Sequence, residues 1–289
     1  MNNYKIAVVG LPGKWSSETL ADAVYAKTGQ RHLIDMGTAY VDLDSNAVWA
    51  GDVNLCDFDA VIVKKISETY SPATLDRLEI LRIVEASGTR VFSGAENILR
   101  LIDRLSCTVT LRNHGIPMPP TRITESVENA VKIVREFKEA VFKPLYSTKA
   151  RGMCVISAQM EENSIRKFVT DFHQKNPVMY IQKKLALPGK DLGMVFIGGE
   201  YVGTYARVSQ SDAWNTTIHS GGKYEAYTPS SDVIELARKA QAPFGMDFTT
   251  VDVAESEIGP IVFEVSAFGG FRGVKEGIGL NAPRCMSTM

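Results

Sequence analysis

Short apolar runs separated by stretches of helical period open the chain. Ile6 to Val9 is a run of four apolar residues that stops at Gly10. Ser16, Ser17 and Glu18 then offer caps for a helix reaching about Lys27. His32 to Asp35 predicts a second strand, and the A-V-I-V run within Asp59 to Lys64 a third, buried one. Pro72 opens a helix to about Ala86, which Gly88 ends, and Thr89 to Phe92 predicts a fourth strand. Strands alternating with helices in this way predict a small parallel sheet covered on both faces.

The pattern changes near Asp103. Asp103 to Asn113 predicts a helix, and Gly115 to Pro120 holds three prolines and reads as a rigid connector. Ser126 is placed to cap a helix to Lys138, in which Ala130, Val131, Val134 and Phe137 recur at helical period. Ala140 to Lys143, Met153 to Ser157 and Val178 to Gln182 predict strands, with a helix over Glu161 to His173. These elements describe a small α+β lobe of about eighty residues. From Lys190 onward strands dominate: Asp191 to Ile197 and Tyr201 to Val208 form a hairpin about Gly198 and Gly199. A helix over Ser231 to Ala242 precedes core strands at Val251 to Val253 and Ile261 to Val265. The expected organisation is an α/β unit over 1–100, an α+β lobe over 101–189 and a further lobe over 190–289.

Composition narrows this little. The 289 residues carry 32 Lys+Arg against 33 Asp+Glu, so no whole-chain attraction to nucleic acid or anionic membrane is expected. Cys56, Cys107, Cys154 and Cys285 are scattered without ligand or redox spacing and are expected to be free thiols. The chain shows no signal-peptide pattern and no run of eighteen apolar residues, which predicts a cytoplasmic protein.

Candidate chemistry concentrates late in the chain. Asp252 lies near the end of one predicted strand, and Glu264 interrupts an apolar strand that runs into a glycine-rich turn. Carboxylates in such strands cost desolvation energy unless something pairs with them, and two that converge suggest a divalent cation, Mg²⁺ holding a nucleotide phosphate. Asp247 is five residues before Asp252, so the two face opposite sides of a regular strand and at most one is expected to face the metal. Ser266 shares Glu264's face, as a hydroxyl ligand or merely a small residue before the turn. Upstream, Lys143 ends a predicted strand, and Ser147, Lys149, Arg151 and Gly152 lie in the polar, basic segment that follows. A small-residue turn of this kind cradles phosphate oxygens through backbone N–H groups, with Lys143 on the inner phosphates. Gln182, Lys183, Lys184 and Leu185 follow a strand into irregular chain whose exposed backbone suits an adenine edge. Arg207 is placed to neutralise a transferring phosphoryl group or to pair with an acid. Asn215, His219, Gly221 and Gly222 share a loop open to ligand approach, and Arg272 and Lys275 offer charge to a carboxylate substrate or form a solvated basic loop. The turn from Gly10 to Trp15 lacks the spacing of the common phosphate-binding motifs and reads as a sheet-end loop, with an accessory substrate contact as the lesser alternative.

In this order the features resemble the ATP-grasp fold, and within it the carboxylate–amine ligases typified by the ribosomal-protein glutamate ligase, from about Leu101 to Asn281. Asp103-Arg104 matches a helix opening D-K, Lys143 the phosphate lysine, Ser147 to Gly152 the phosphate loop, and Ile181 to Leu185 the adenine-reading hinge. Gly189-Lys190-Asp191 matches G-x-D, with Gly193 where an arginine is expected. Arg207 and Asn215 with Gly221-Gly222 match the next motifs, and Glu264-Val265-Ser266 stands for E-V-N. The resemblance implies an ATP-grasp fold behind a Rossmann-like N-terminal domain, with ATP and Mg²⁺ as cofactors. Asp252, Glu264 and Ser266 would face the metal, Lys143 and Arg207 would be catalytic, and Asp191 and Asn215 would belong to the nucleotide site. The implied reaction joins a carboxylate to an amine through an acyl phosphate, on a small molecule or a protein tail, and the implied assembly is a homo-oligomer. A kinase on the same fold, or a nucleotide-binding regulatory protein, would share much of this pattern.

Overall fold

The computed structural model describes residues 4–148, 150–209 and 222–287. The N-terminal part runs β1 (Ile6–Val9), α1 (Trp15–Thr28), β2 (His32–Ile34), then β3 (Tyr40–Asp42), β4 (Ala47–Ala50) and β5 (Val53–Asn54), then β6 (Ala60–Val63), α2 (Pro72–Ala86) and β7 (Arg90–Phe92). Strands β2-β1-β6-β7 form the expected parallel sheet. The small antiparallel sheet β3-β4-β5 has no counterpart in the sequence reading, because its strands are two to four residues long and its edges half exposed.

Helices α3 (Ala95–Ile102) and α4 (Arg104–Asn113) lead into β8 (Thr121–Thr124), α5 (Val127–Phe137), β9 (Glu139–Lys143), β10 (Cys154–Ser157), α6 (Glu162–Lys175) and β11 (Met179–Lys183). Asp103 caps α4 by accepting from the Leu105 amide, and Ser126 caps α5 by accepting from the Asn129 amide. The antiparallel sheet β10-β9-β11-β8 buries one face against α5 and α6, where Ala130, Val134, Phe142, Ile165, Val169 and Ile181 form a separate core. Strand β8 escapes the sequence reading because T-R-I-T is a short edge strand with two exposed residues.

The remaining chain runs β12 (Lys190–Ile197), β13 (Glu200–Val208), β14 (Lys223–Ala226), α7 (Ser231–Gln241), β15 (Phe248–Ser256), β16 (Gly259–Ser266), α8 (Phe271–Ile278) and α9 (Ala282–Met286). Strands β14-β13-β12-β15-β16 make a five-stranded antiparallel sheet. One core joins Leu192, Met194, Val251, Val253 and Val265 of this sheet to Val9, Val61, Leu78 and Ile98 of the N-terminal part. Arg272 and Lys275 sit on α8 rather than in a basic loop, with Arg272 Nε 3.6 Å from Glu276.

The opposite face of the five-stranded sheet holds α8 through Tyr205. Its ring lies in a channel walled by glycines: a Cβ would stand 2.3 Å from Tyr205 Cζ if built on Gly193, 2.5 Å from it on Gly273, and 2.4 Å from Tyr205 Cβ on Gly277. Gly193→Ala should therefore destabilise the fold by about 1–3 kcal/mol through overpacking, read as a lower urea midpoint.

Candidate functional site

The five-stranded sheet brings the two late acids together. Antiparallel pairing places Asp252 opposite Glu264, Gly193 opposite Asp252, and Asp191 opposite Arg207, so all share one face. Ser266 pairs with Thr250 and lies on that face too, while its carbonyl accepts from Thr249 Oγ1 at 2.7 Å. Asp247 precedes β15 and pairs with Arg90 at 3.0 Å, away from this cluster.

Each acid has a cationic neighbour. Arg207 Nε donates to Asp191 Oδ2 at 2.9 Å, and its Nη2 also pairs with that carboxylate. Arg207 Nη2 lies 3.0 Å from Asp252 Oδ1, but off hydrogen-bonding direction, so that oxygen is shielded from solvent without a hydrogen bond. Burial pushes the Asp252 carboxyl above the ordinary carboxylate range; Arg207 opposes this, and Asp191 and Glu264 add to it. Burial also works against the charge of Arg207, yet Asp252 and Asp191 more than offset it and hold the guanidinium well above its usual pKa.

Glu264 accepts from Arg104 Nη1 at 2.8 Å. Arg104 also donates through Nε to the Pro144 carbonyl at 3.2 Å, and through its amide to the Leu145 carbonyl at 3.3 Å. This residue, read from sequence only as part of a helix-opening pair, joins the end of β9 to the acid on β16. A signal was present: Arg104, Cys107 and Leu111 form the buried stripe of α4, and a cation on such a stripe demands a partner.

Lys143 ends β9 at 8% exposure, with Nζ donating to Gln182 Oε1 and lying 5.3 Å from the Phe263 ring centroid. Burial, then the charge of Arg104, pushes its ammonium down to about 7, while Glu264 and Asp252 pull the other way. The Gln182 side chain is fully used, donating to Thr121 Oγ1 at 3.1 Å as well. The amides of Lys183 and Lys184 are engaged by the carbonyls of Pro120 and Glu139, at 2.8 and 3.0 Å. The hinge that was expected to expose its donors has therefore spent two of them on the sheet, and Leu185 follows half-buried. In the phosphate-loop segment, Ser147 Oγ donates to the Pro144 carbonyl at 3.4 Å, and Gly152 has φ +72°. Arg151 donates to Thr148 Oγ1 at 2.7 Å and to the Glu68 carbonyl at 3.3 Å, reaching the N-terminal part. Lys149, Asn215, His219 and Gly221 lie outside the described residues. In the Gly10 to Trp15 turn, Ser17 Oγ takes the Leu11 amide and Glu18 the Gly13 amide, so those N–H groups serve the turn itself.

A second buried lysine has no counterpart in the sequence reading. Lys64, at the end of β6, donates to the Gly269 carbonyl at 2.8 Å and lies 4.2 Å from the Phe271 ring centroid. Its neighbour Lys65 lies 5.0 Å from the Phe268 ring, so both lysines grip the turn that follows β16. Burial, with Lys65 adding, pushes Lys64 down to about 7. A lysine that is lowered in the folded chain binds its proton more readily when unfolded, so Lys64 and Lys143 make stability rise as pH climbs from about 7 towards 10. Lys64→Met removes one of these contributors. Its urea midpoint should rise less steeply than that of the unmodified chain over this window.

The cluster fits a divalent cation in two respects. Asp252 Oδ1 is a buried oxygen with no hydrogen bond, and Glu264 is 36% exposed beside it. Among the described residues no group of three His, Cys, Asp or Glu comes together, so a cation here would complete its shell on other oxygens, as Mg²⁺ does on nucleotide phosphates.

Comparison with known proteins decides the family. Residues 102–288 match the RimK-like ATP-grasp domain. The chain belongs to the RimK-like ATP-grasp family. This is a family of amide-bond-forming enzymes. The chain is 24% identical to the tetrahydromethanopterin:alpha-L-glutamate ligase of Methanosarcina acetivorans, over 88% of its own length and 83% of the relative's. It is also 24% identical to the ribosomal protein bS6--L-glutamate ligase of Salmonella paratyphi B, over 96% and 92%. Among solved structures, the ATP-grasp ligase PsnB complexed with its minimal precursor superposes with a TM-score of 0.77 at 16% identity, over 99% of this chain and 98% of that one. The same ligase has been solved with Mg and ADP. The RimK-like match covers α4 through α9 and so includes every element that supplies the acid cluster, Arg104 and Lys143. No helix among the described residues is long and apolar enough to cross a membrane.

Proposed function

We propose that this chain is an ATP-dependent ligase that joins an amino acid, glutamate being the first candidate, to the carboxylate of a small molecule or a protein tail. The reading is carried by one juxtaposition: the cross-strand pair Asp252–Glu264 faces Arg207 from its own sheet and is tied through Arg104 to the strand end that bears Lys143. ATP is the co-substrate. Its inner phosphates would meet Lys143, and the incoming negative charge would favour that lysine's protonated form. The acceptor carboxylate attacks the γ-phosphorus, the bond to the ADP oxygen breaks, and an acyl phosphate forms. The amine then attacks the acyl carbon, phosphate leaves, and the amine proton is released. Arg207 faces the charge that develops during both steps. Mg²⁺, held by Asp252 and Glu264 with Ser266 nearby, would neutralise phosphate charge when bound. The Ser147 to Gly152 segment, which already reaches Glu68, would help to exclude water from the acyl phosphate. The adenine edge would meet Leu185 and the carbonyls beyond β11, and Asp191 would act by holding Arg207. A cytoplasmic location suits an ATP-consuming reaction.

The test is a panel of amino acids and carboxylates screened for Mg-dependent ADP release, with the mass of each product measured. An amide product supports the ligase. A phosphorylated acceptor as end product would make the chain a kinase, and ATP binding without acceptor-dependent ADP release would make it a nucleotide-binding regulator.

A further inference from the structure

We propose that the Tyr205 hydroxyl is a substrate-facing hydrogen-bond donor of this site, standing beside Arg207 against the oxyanion of the reacting carboxyl or phosphoryl group. The inference rests on the ligase reading and adds to it a residue that no sequence motif marks.

Strand register supplies the first support. Tyr205 pairs with Gly193, and Gly193 pairs in turn with Asp252 on its other side. Tyr205 therefore belongs to the same face as Asp191, Arg207, Asp252 and Glu264. The ring does not stand upright on β13. Its Cζ and Oη lie where a Gly193 side chain would be, 2.3 and 2.6 Å from an ideal Cβ there, so the ring leans across β12 towards the strand of Asp252. Gly273 and Gly277 of α8 leave room for this lean, which a Cβ at either position would close, and Oη lies 3.7 Å from a Cβ built on Gly270. The ring's edge-on contact with Tyr224, at 5.4 Å between centroids, further fixes its direction.

The second support is the state of the hydroxyl. Tyr205 is 3% exposed, and its hydroxyl makes no hydrogen bond to a described residue, yet unlike Asp252 Oδ1 it is not an oxygen sealed away without a partner, so the phenol tip stays reachable from the site. A donor on the face that carries these acids and a guanidinium, with its ring held in place by glycines, is preorganised for an oxygen that arrives with the substrate. Burial, the largest influence, raises the phenol's pKa above its ordinary value. Arg207 opposes this and Asp252 adds to it, so the group stays a neutral donor. At position 193, where the sequence resemblance leads one to expect a cation, the fold instead places a phenol tip.

Tyr205→Phe keeps the ring in its channel and removes only the hydroxyl. With the acceptor and amine found in the product screen, this variant should lose about 10- to 100-fold in kcat, while its KM for ATP stays within about 2-fold and its melting temperature within about 2 °C. A kcat within about 2-fold of the unmodified chain overturns the inference. So does a loss of activity that simply follows a fall in melting temperature, since that is what a packing role predicts. Asp252→Asn is assayed alongside. If Tyr205→Phe is silent while Asp252→Asn abolishes turnover, the ligase site stands and only the role of Tyr205 falls. If Asp252→Asn is also silent, or the unmodified chain releases no ADP with any acceptor, the ligase reading falls and takes this inference with it.

Discussion

Asp252→Asn and Glu264→Gln each lower acceptor-dependent ADP release by about 100-fold or more, with the folded structure intact. Both exchanges keep side-chain shape and remove one negative charge from the face where the two acids are paired. Asp252 carries the cleaner expectation. Its Oδ1 makes no hydrogen bond, so the amide breaks none there, and Arg207 keeps its bonds to Asp191. Glu264→Gln also weakens the contact with Arg104, so its effect extends to the end of β9. If these acids hold Mg²⁺ as proposed, activity in both variants should recover in part at higher Mg²⁺, because losing a metal ligand is first of all a loss of metal affinity. A Mg²⁺ titration of ADP release, run beside circular dichroism melting, checks this. Unchanged turnover in both variants refutes the site.

Arg207→Ala cuts kcat by about 100- to 1000-fold while nucleotide affinity changes by less than about 5-fold. The separation follows from where the groups sit. Arg207 is on β13 of the five-stranded sheet, held by Asp191 and facing Asp252. Lys143 and the hinge belong to the other sheet, β10-β9-β11-β8. The contacts proposed for the nucleotide on that sheet should therefore survive the substitution. The variant also loses some stability, because the largely buried Asp191 gives up its ion pair with the guanidinium. Fluorescent-ADP binding and steady-state ADP release, both measured well below the variant's melting temperature, separate the two effects. A parallel collapse of binding would place Arg207 in the nucleotide pocket instead.

Much of this molecule was legible along the chain. The A-V-I-V and A-V-F-K runs, the stripe of Ala130, Val134 and Phe137, and the glycine pair of the β12–β13 hairpin each obey a local period, and local period is what a linear sequence records. Short edge strands such as β8 and β14 do not, because their pattern is set by a neighbour far away in sequence. The two acids were visible for a similar reason: a carboxylate in an apolar strand is a local anomaly with a desolvation cost.

Read along its length, the chain marks which residues need explaining: Asp252, Glu264, Lys143 and Arg207, charged groups set at strand positions where burial is expensive. What answers them emerges when the strands are laid side by side. Cross-strand register put Asp252 opposite Glu264 and Asp191 opposite Arg207. The turn between β9 and β10 met Arg104 from α4, and the glycines of α8 admitted the Tyr205 ring over Gly193. The difference is one of range. Period and propensity act over a few residues, whereas the partner of a buried charge is chosen by whichever strand or helix the whole fold lays beside it.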